Sequence, residues 1–207
     1  MKNLNFLGLA MLFVLLTACD YASLSFKNPQ PNDKTSLDKI PLALRGNYIY
    51  LGDSSVLAID KHTIKVIYTE KMKVEEDSNT VASNDTINSD QAEITYSVAN
   101  VEQYKTSESI LFDINNGDVI RHFRGAYFIS TSNGSDWDVQ RIQKSGRGIT
   151  IGSCNNKTDL GLLGGITGTE INPNGKTVFD PTKDQLKEFL KQGGFRNISY
   201  YAKLKRK

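Results

Sequence analysis

The chain reads as mainly β, an antiparallel meander forming a barrel or a sandwich with one helix near its C-terminal end. Three observations predict this. From Leu44 onward, short apolar stretches alternate with runs of Gly, Asn, Asp and Ser. Asn116-Gly117 and Asn133-Gly134 fall between such stretches, and an Asn-Gly pair tolerates the positive φ of a tight hairpin. Only the stretch near 182–192 joins helical periodicity to start and stop signals.

The N-terminal segment is of a different kind. Lys2 is followed by an apolar run from Phe6 to Leu16 that closes with Leu16-Thr17-Ala18-Cys19. A positive start, a short apolar core and a small residue before the cut make a secretory signal peptide, too short to span a bilayer of ~30 Å. With cysteine directly after Ala18, the segment resembles the lipobox of bacterial lipoproteins. That resemblance implies recognition through Leu16 and Ala18, a diacylglyceryl group on Cys19, cleavage before Cys19 and acylation of the new amine. It also implies a bacterial envelope location, held by acyl chains at ~0.8 kcal/mol per buried CH₂. Asp20 resembles an inner-membrane retention signal of some bacteria, so either membrane, and a periplasmic or a surface face, stays open.

Residues 1–18 are thus signal peptide, and of 207 residues 189 remain, enough for one domain. Residues 19–43 read as anchor and extended linker, because Ser23, Ser25, Asn28, Asn32 and Asp33 dominate and Pro29-Gln30-Pro31 favours extended backbone. Phe26 and Ile40 are the apolar residues able to dock on a domain. The β-rich domain then covers 44–207.

Its first block is a meander of Asn47–Leu51, Val56–Ile59 and Thr63–Tyr68, with Ile64, Val66 and Tyr68 on one face of the third strand. Glu75–Gln91 is too polar to bury much surface and reads as a loop. Asp85-Thr86-Ile87 within it resembles the Asp-Ser/Thr-apolar acceptor of bacterial O-glycosylation, which makes Thr86 a candidate acceptor.

A second block supplies Glu93–Val98, Ser109–Ile114, Val119–Phe123, Ala126–Thr131, Asp136–Ile142 and Gly148–Cys154. Gly46-Asn47-Tyr48-Ile49 is echoed by Gly125-Ala126-Tyr127-Phe128, as expected of two similar halves. Gly-x-Tyr strands with a late Trp-x-Val strand loosely resemble small uncharacterised β-rich envelope lipoproteins, a likeness that carries no activity. The glycine-rich stretch from Gly161 to Gly175 reads as a loop with apolar anchors. The helix near 182–192 has a capping box in Thr182 and Gln185, an apolar stripe in Leu186, Phe189 and Leu190, and a stop at Gly193-Gly194. Ile198–Leu204 follows as a final strand, then the basic tail Lys205-Arg206-Lys207.

Chemistry-bearing motifs are scarce. A formal net charge of +2, of which residues 1–18 hold only Lys2, gives no basic face for nucleic acid. With Cys19 lipidated, Cys154 has no disulfide partner, and at the end of an alternating strand it reads as a small core residue. His62 falls in a turn and His122 on a strand, with no spacing for metal ligands. Asp136 and Asp138 flank Trp137, an arrangement of a core tryptophan with solvated carboxylates. Ser36-x-x-Lys39 lies in the linker without the Lys-Thr-Gly of penicillin-binding enzymes. Gly175-Lys176-Thr177 has Glu170 where a phosphate loop needs its first glycine. No catalytic residue, metal or cofactor is therefore implied. The expectation is a non-enzymatic lipoprotein that binds a protein, glycan or lipid partner; a purely structural envelope protein and an enzyme with an unrecognised site are the alternatives. A pocket with convergent polar groups favours the binding protein or the enzyme, and a filled core without one the structural protein.

Overall fold

The computed structural model describes residues 23–72 and 103–204. Cys19, Leu16, Ala18, Thr86 and the expected strand 93–98 lie outside them.

Among the described residues the chain is mainly β. Its strands are β1 (Ser23–Phe26), β2 (Gly46–Tyr50), β3 (Val56–Ile59), β4 (Thr63–Met72), β5 (Gln103–Asp113), β6 (Val119–Phe123), β7 (Ala126–Asn133), β8 (Asp136–Ser145), β9 (Gly148–Ser153), β10 (Lys176–Phe179) and β11 (Asn197–Lys203). Helices α1 (Lys157–Thr167) and α2 (Lys183–Lys191) interrupt the last strands. The strands join in the order β10-β1-β8-β9-β11-β2-β3-β4-β5, with β7 and then β6 on the other edge of β8. All pairings are antiparallel except β1 with β10.

The sheet coils so that β2–β5 face β6–β9. Tyr48, Leu57, Ile59, Ile64 and Phe112 from the first group pack against Ile120, Ile129, Ile142, Ile149 and Ile151 from the second. It does not close into a barrel, because β5 and β6 do not pair with each other and are joined by a 3₁₀ turn at Ile114–Asn116. The architecture is a sandwich. The two meanders echo one another, since Gly46 and Gly125 both enter their strands at positive φ, 133° and 76°. The tyrosine two residues on is core in β2 and packs against the same core in β7.

On the outer face of β7 and β8 lies a second core. Phe128 and Val139 meet Leu160 and Leu163 of α1, Leu186 and Phe189 of α2, and Phe26 and Phe179 of β1 and β10. The helix α2 forms where expected: the Thr182 hydroxyl accepts from Gln185 N at 3.3 Å and Gln185 Oε1 accepts from Thr182 N at 2.9 Å.

Two expectations are corrected. The linker is folded from Ser23 onward. Phe26, Ile40 and Leu44 are fully buried, β1 pairs in register with β10, and Gln30 and Pro31 are buried. Arg121 of β6 donates to the carbonyls of Pro29 and Pro31, at 2.8 Å for the latter, and so pins the polar stretch that composition assigned to a spacer. Leu37 N donates to Ile120 O at 2.9 Å and Ile40 N to Lys61 O at 2.8 Å. This stretch thus covers the free edge of β6, where an unpaired strand would otherwise be exposed.

The second correction is α1, which occupies the glycine-rich stretch read as a loop. Each helical glycine costs about 1 kcal/mol relative to alanine. Packing outweighs that cost, because Leu160 and Leu163 are buried and Gly164 sits so close to Ile171 that a Cβ there would lie 3.0 Å from its Cδ1. Asn156 caps the start by accepting from Asp159 N at 2.8 Å, and Gly168 closes the end at φ 71°.

Candidate functional site

Where the sandwich opens beside the β2–β3 turn, its layers leave a recess of about 250 Å³. Its walls come from strands distant in sequence: Tyr50 of β2, Tyr68 of β4, Gln140 of β8 and Tyr201 of β11. Strand alternation explains the inward side chains. Tyr201 pairs with Tyr50 across β2 and β11, and their rings pack at 5.3 Å between centroids, tilted by 38°. Val66, Leu111 and Ile151 provide apolar surface, and Ser153, Asn197 and Ser199 add small polar groups.

The electrostatics are those of a neutral-to-acidic recess, with Asp53 the only charged residue in its lining among the described residues. Asp53 Oδ1 accepts from Ser55 N at 2.8 Å, and hydrogen bonds from Ser55 hold its carboxyl below the usual carboxylate range. Burial, and then the neighbouring Asp53, Tyr50 and Tyr68, push the Tyr201 hydroxyl above the ordinary phenol range. It therefore stays a protonated donor at neutral pH. Gln140 Oε1 is buried and makes no hydrogen bond among the described residues. A buried acceptor left unpaired costs about 1–3 kcal/mol, so this atom needs an explanation.

The residues singled out in the sequence are dispersed. His62 lies in the turn before β4, where its carbonyl accepts from Ile114 N at 3.0 Å. His122 is exposed on β6, its ring 4.8 Å from that of Tyr127 across the strand pair and tilted by 44°. Cys154 is a buried free thiol in the core beneath the helices, and burial pushes its pKa far up, leaving it unreactive. Trp137 is partly buried against that core, whereas Asp136 is bound to Lys176 at 2.6 Å and Asp138 is exposed. Ser36 accepts from Arg121 Nε at 3.3 Å, a structural contact. Among the described residues, no three His, Cys, Asp or Glu side chains group as metal ligands. No described helix is long and apolar enough to cross a membrane.

The tyrosine recess was not legible in the sequence. Its walls come from β2, β4, β8 and β11, and no short motif spans elements that far apart. The spacing of Tyr48 and Tyr50 shows only that the two share one face of their strand. Comparison with protein-family models, with curated proteins and with solved structures found no match.

Proposed function

We propose that the chain is a lipid-anchored protein of the bacterial envelope whose β domain binds a small, neutral, hydroxyl-rich ligand such as a sugar unit. The anchor reading is supported by Leu16-Thr17-Ala18-Cys19 at the end of a short apolar run. The binding reading is carried by one observation, the unpaired Oε1 of Gln140 at a recess walled by Tyr50, Tyr68 and Tyr201. Aromatic faces offer flat apolar surface, hydroxyl and amide groups fix orientation, and an acceptor without a partner calls for a donor from outside. Among the described residues no cation lines the recess, which disfavours an anionic ligand. Its volume of about 250 Å³ lies just below the ~300 Å³ at which drug-sized sites begin, and suits one ring rather than a chain.

Two measurements test the two halves. Fatty-acid labelling of cells should mark the native chain and leave Cys19→Ala unlabelled; label on Cys19→Ala overturns the anchor. Titration with a panel of neutral monosaccharides, followed by tyrosine ring resonances, should shift Tyr50 and Tyr201 for at least one sugar and shift neither in Gln140→Leu. A panel that moves no tyrosine signal leaves the structural-protein reading in its place.

A further inference from the structure

The opposite end of the sandwich carries a different surface. There the β3–β4 and β8–β9 turns and the end of β11 enclose an open cleft of about 1390 Å³. Arg45, Lys61, Arg147 and Lys203 line it, against the single carboxylate of Asp60. None of the four cations makes an ion pair among the described residues. Arg45 is fixed by its Nε donating to Ile40 O at 2.8 Å, and Lys203 Nζ sits 5.7 Å from the centre of the Tyr48 ring. Two leucines stand at the same rim, Leu42 at 78% and Leu204 at 40% exposure.

We infer that this cleft is the face with which the domain lies on an anionic membrane. Unpaired cations around exposed leucines match the chemistry of a phospholipid interface, where phosphates meet the charges and apolar side chains enter the acyl boundary.

Chain length outside the structure agrees, and this part rests on the lipid-anchor reading. With β1 starting at Ser23, the distance to Cys19 is four residues, at most about 14 Å when extended. That is too short to hold the domain away from the lipid. Orientation agrees as well. β1 runs antiparallel to β8 with Phe26 opposite Trp137, so its Ser23 end points toward the β8–β9 turn and the cleft. Along β8 the rise from Trp137 to that turn is about 26 Å, and β1 recovers about 10 Å of it, leaving roughly the tether's reach. Docked this way, the domain carries the tyrosine recess on the side away from the bilayer.

The test uses residues 20–207, which lack the lipidated cysteine but contain every residue of both cores. Co-sedimentation with phosphatidylcholine vesicles, with and without phosphatidylglycerol, should show partition onto the anionic vesicles only, declining as salt is raised. Each cation near such a surface is worth about fivefold in binding, so reversing three in the combined K61E, R147E and K203E variant, a change of six charges, should weaken partition about ten-thousandfold. A control reversing Lys34, Lys157 and Lys187, at distant sites, should keep most of the binding, and the milder K61Q, R147Q and K203Q variant should fall between. Leu42→Asn, which removes apolar surface without adding charge, should weaken partition without changing its dependence on the anionic lipid. Equal partition onto neutral vesicles, or equal loss in the control, overturns the inference. So does release by inorganic phosphate beyond its effect on ionic strength, which would indicate a site for a free anion. Because no lipid anchor is present, failure here leaves the Cys19 labelling result standing, and the reverse holds too.

Discussion

Phe128 and Ile129 are neighbours in β7, yet they belong to different cores. Ile129 faces the core between the two strand layers, where eight of the twelve buried residues are isoleucine. Phe128 faces the core under the helices, where six of the twelve are phenylalanine. The chemistry follows the geometry of the partner. Two pleated surfaces accept stiff β-branched side chains, which fit the alternation of both. A helix crossing a sheet leaves wider, less regular gaps, and Phe128, Phe189 and Phe195 fill one with edge-on ring contacts at 5.5–5.7 Å. The first core is built largely by consecutive strands. The second is closed by segments from the two ends of the domain.

That difference makes the second core the more fragile to changes in its remote contributors, and Phe26 is the sharpest case. It is fully buried, pairs with both Phe179 and Trp137, and lies in a stretch that composition assigns to a linker. Replacing a buried phenylalanine by alanine costs about 3–5 kcal/mol. Phe26→Ala should therefore lower the urea midpoint as much as Phe128→Ala does. A midpoint within error of the native protein would mean that β1 is a docked tether and that the second core closes without it.

The same contrast marks what could be read from the sequence. Strands β2–β4 and β6–β9 were legible because alternation and the Asn133-Gly134 turn are local signals and their partners are the next strands along, whereas Asn116-Gly117 ends a 3₁₀ turn between β5 and β6, which do not pair with each other. Helix α2 was legible because Thr182, Gln185 and the Leu186, Phe189 and Leu190 stripe all fall within nine residues. Strand β1 was not, since its partner β10 lies some 150 residues away and no local pattern announces a parallel pairing of two four-residue strands. Helix α1 was hidden by its glycines, which local propensity penalises and only close packing against Ile171 explains. The tyrosine recess and the cationic cleft share the same obstacle, being made from the ends of strands far apart in sequence.

A smaller effect is expected where α1 is fastened to the start of β11. Asp159 is fully buried; its Oδ2 accepts from Arg196 N at 2.9 Å and from Asn156 Nδ2 at 2.7 Å. Its Oδ1 lies 3.4 Å from Arg196 Nε, an ion-pair distance without hydrogen-bond geometry, and Arg196 is 45% exposed. The backbone bond is therefore the stronger tie, and a hydrogen bond to a charged group contributes about 1.5–3 kcal/mol. Asp159→Ala should destabilise by about that amount, more than Arg196→Ala. If the two variants unfold at the same midpoint, the ion pair and not the backbone bond fastens the helix.

Lower again stands the tie between β8 and β10. Lys176 donates to Asp136 at 2.6 Å, and this bond holds the carboxyl below the usual carboxylate range. A depressed folded value means that the contribution is complete above the unfolded value of about 3.9 and fades as pH falls through the folded one. The stability gap between the native protein and Asp136→Asn should be widest at neutral pH and vanish in strong acid. A gap that stays constant from pH 7 to pH 2 would show that Asp136 acts through packing rather than charge.

The smallest effect has the opposite sign and probes why a glycine-rich stretch is helical at all. Gly161 and Gly165 sit on the open side of α1, where an added Cβ would meet no atom within 4 Å. Gly164 is buried, and a Cβ there would press on Ile171 at 3.0 Å and on the Thr169 carbonyl at 3.3 Å. If packing at Gly164 is what holds the helix and the other glycines merely tax it, Gly161→Ala should raise stability by roughly 0.5–1 kcal/mol through the lower entropy of the unfolded chain. Gly164→Ala should lower it, since the helix would have to move off Ile171. Thermal melts of the two variants give the comparison directly. A gain in both would mean that α1 has room to shift and that propensity alone limits it; a loss in both would mean that the open side of α1 is covered by a surface these residues do not include.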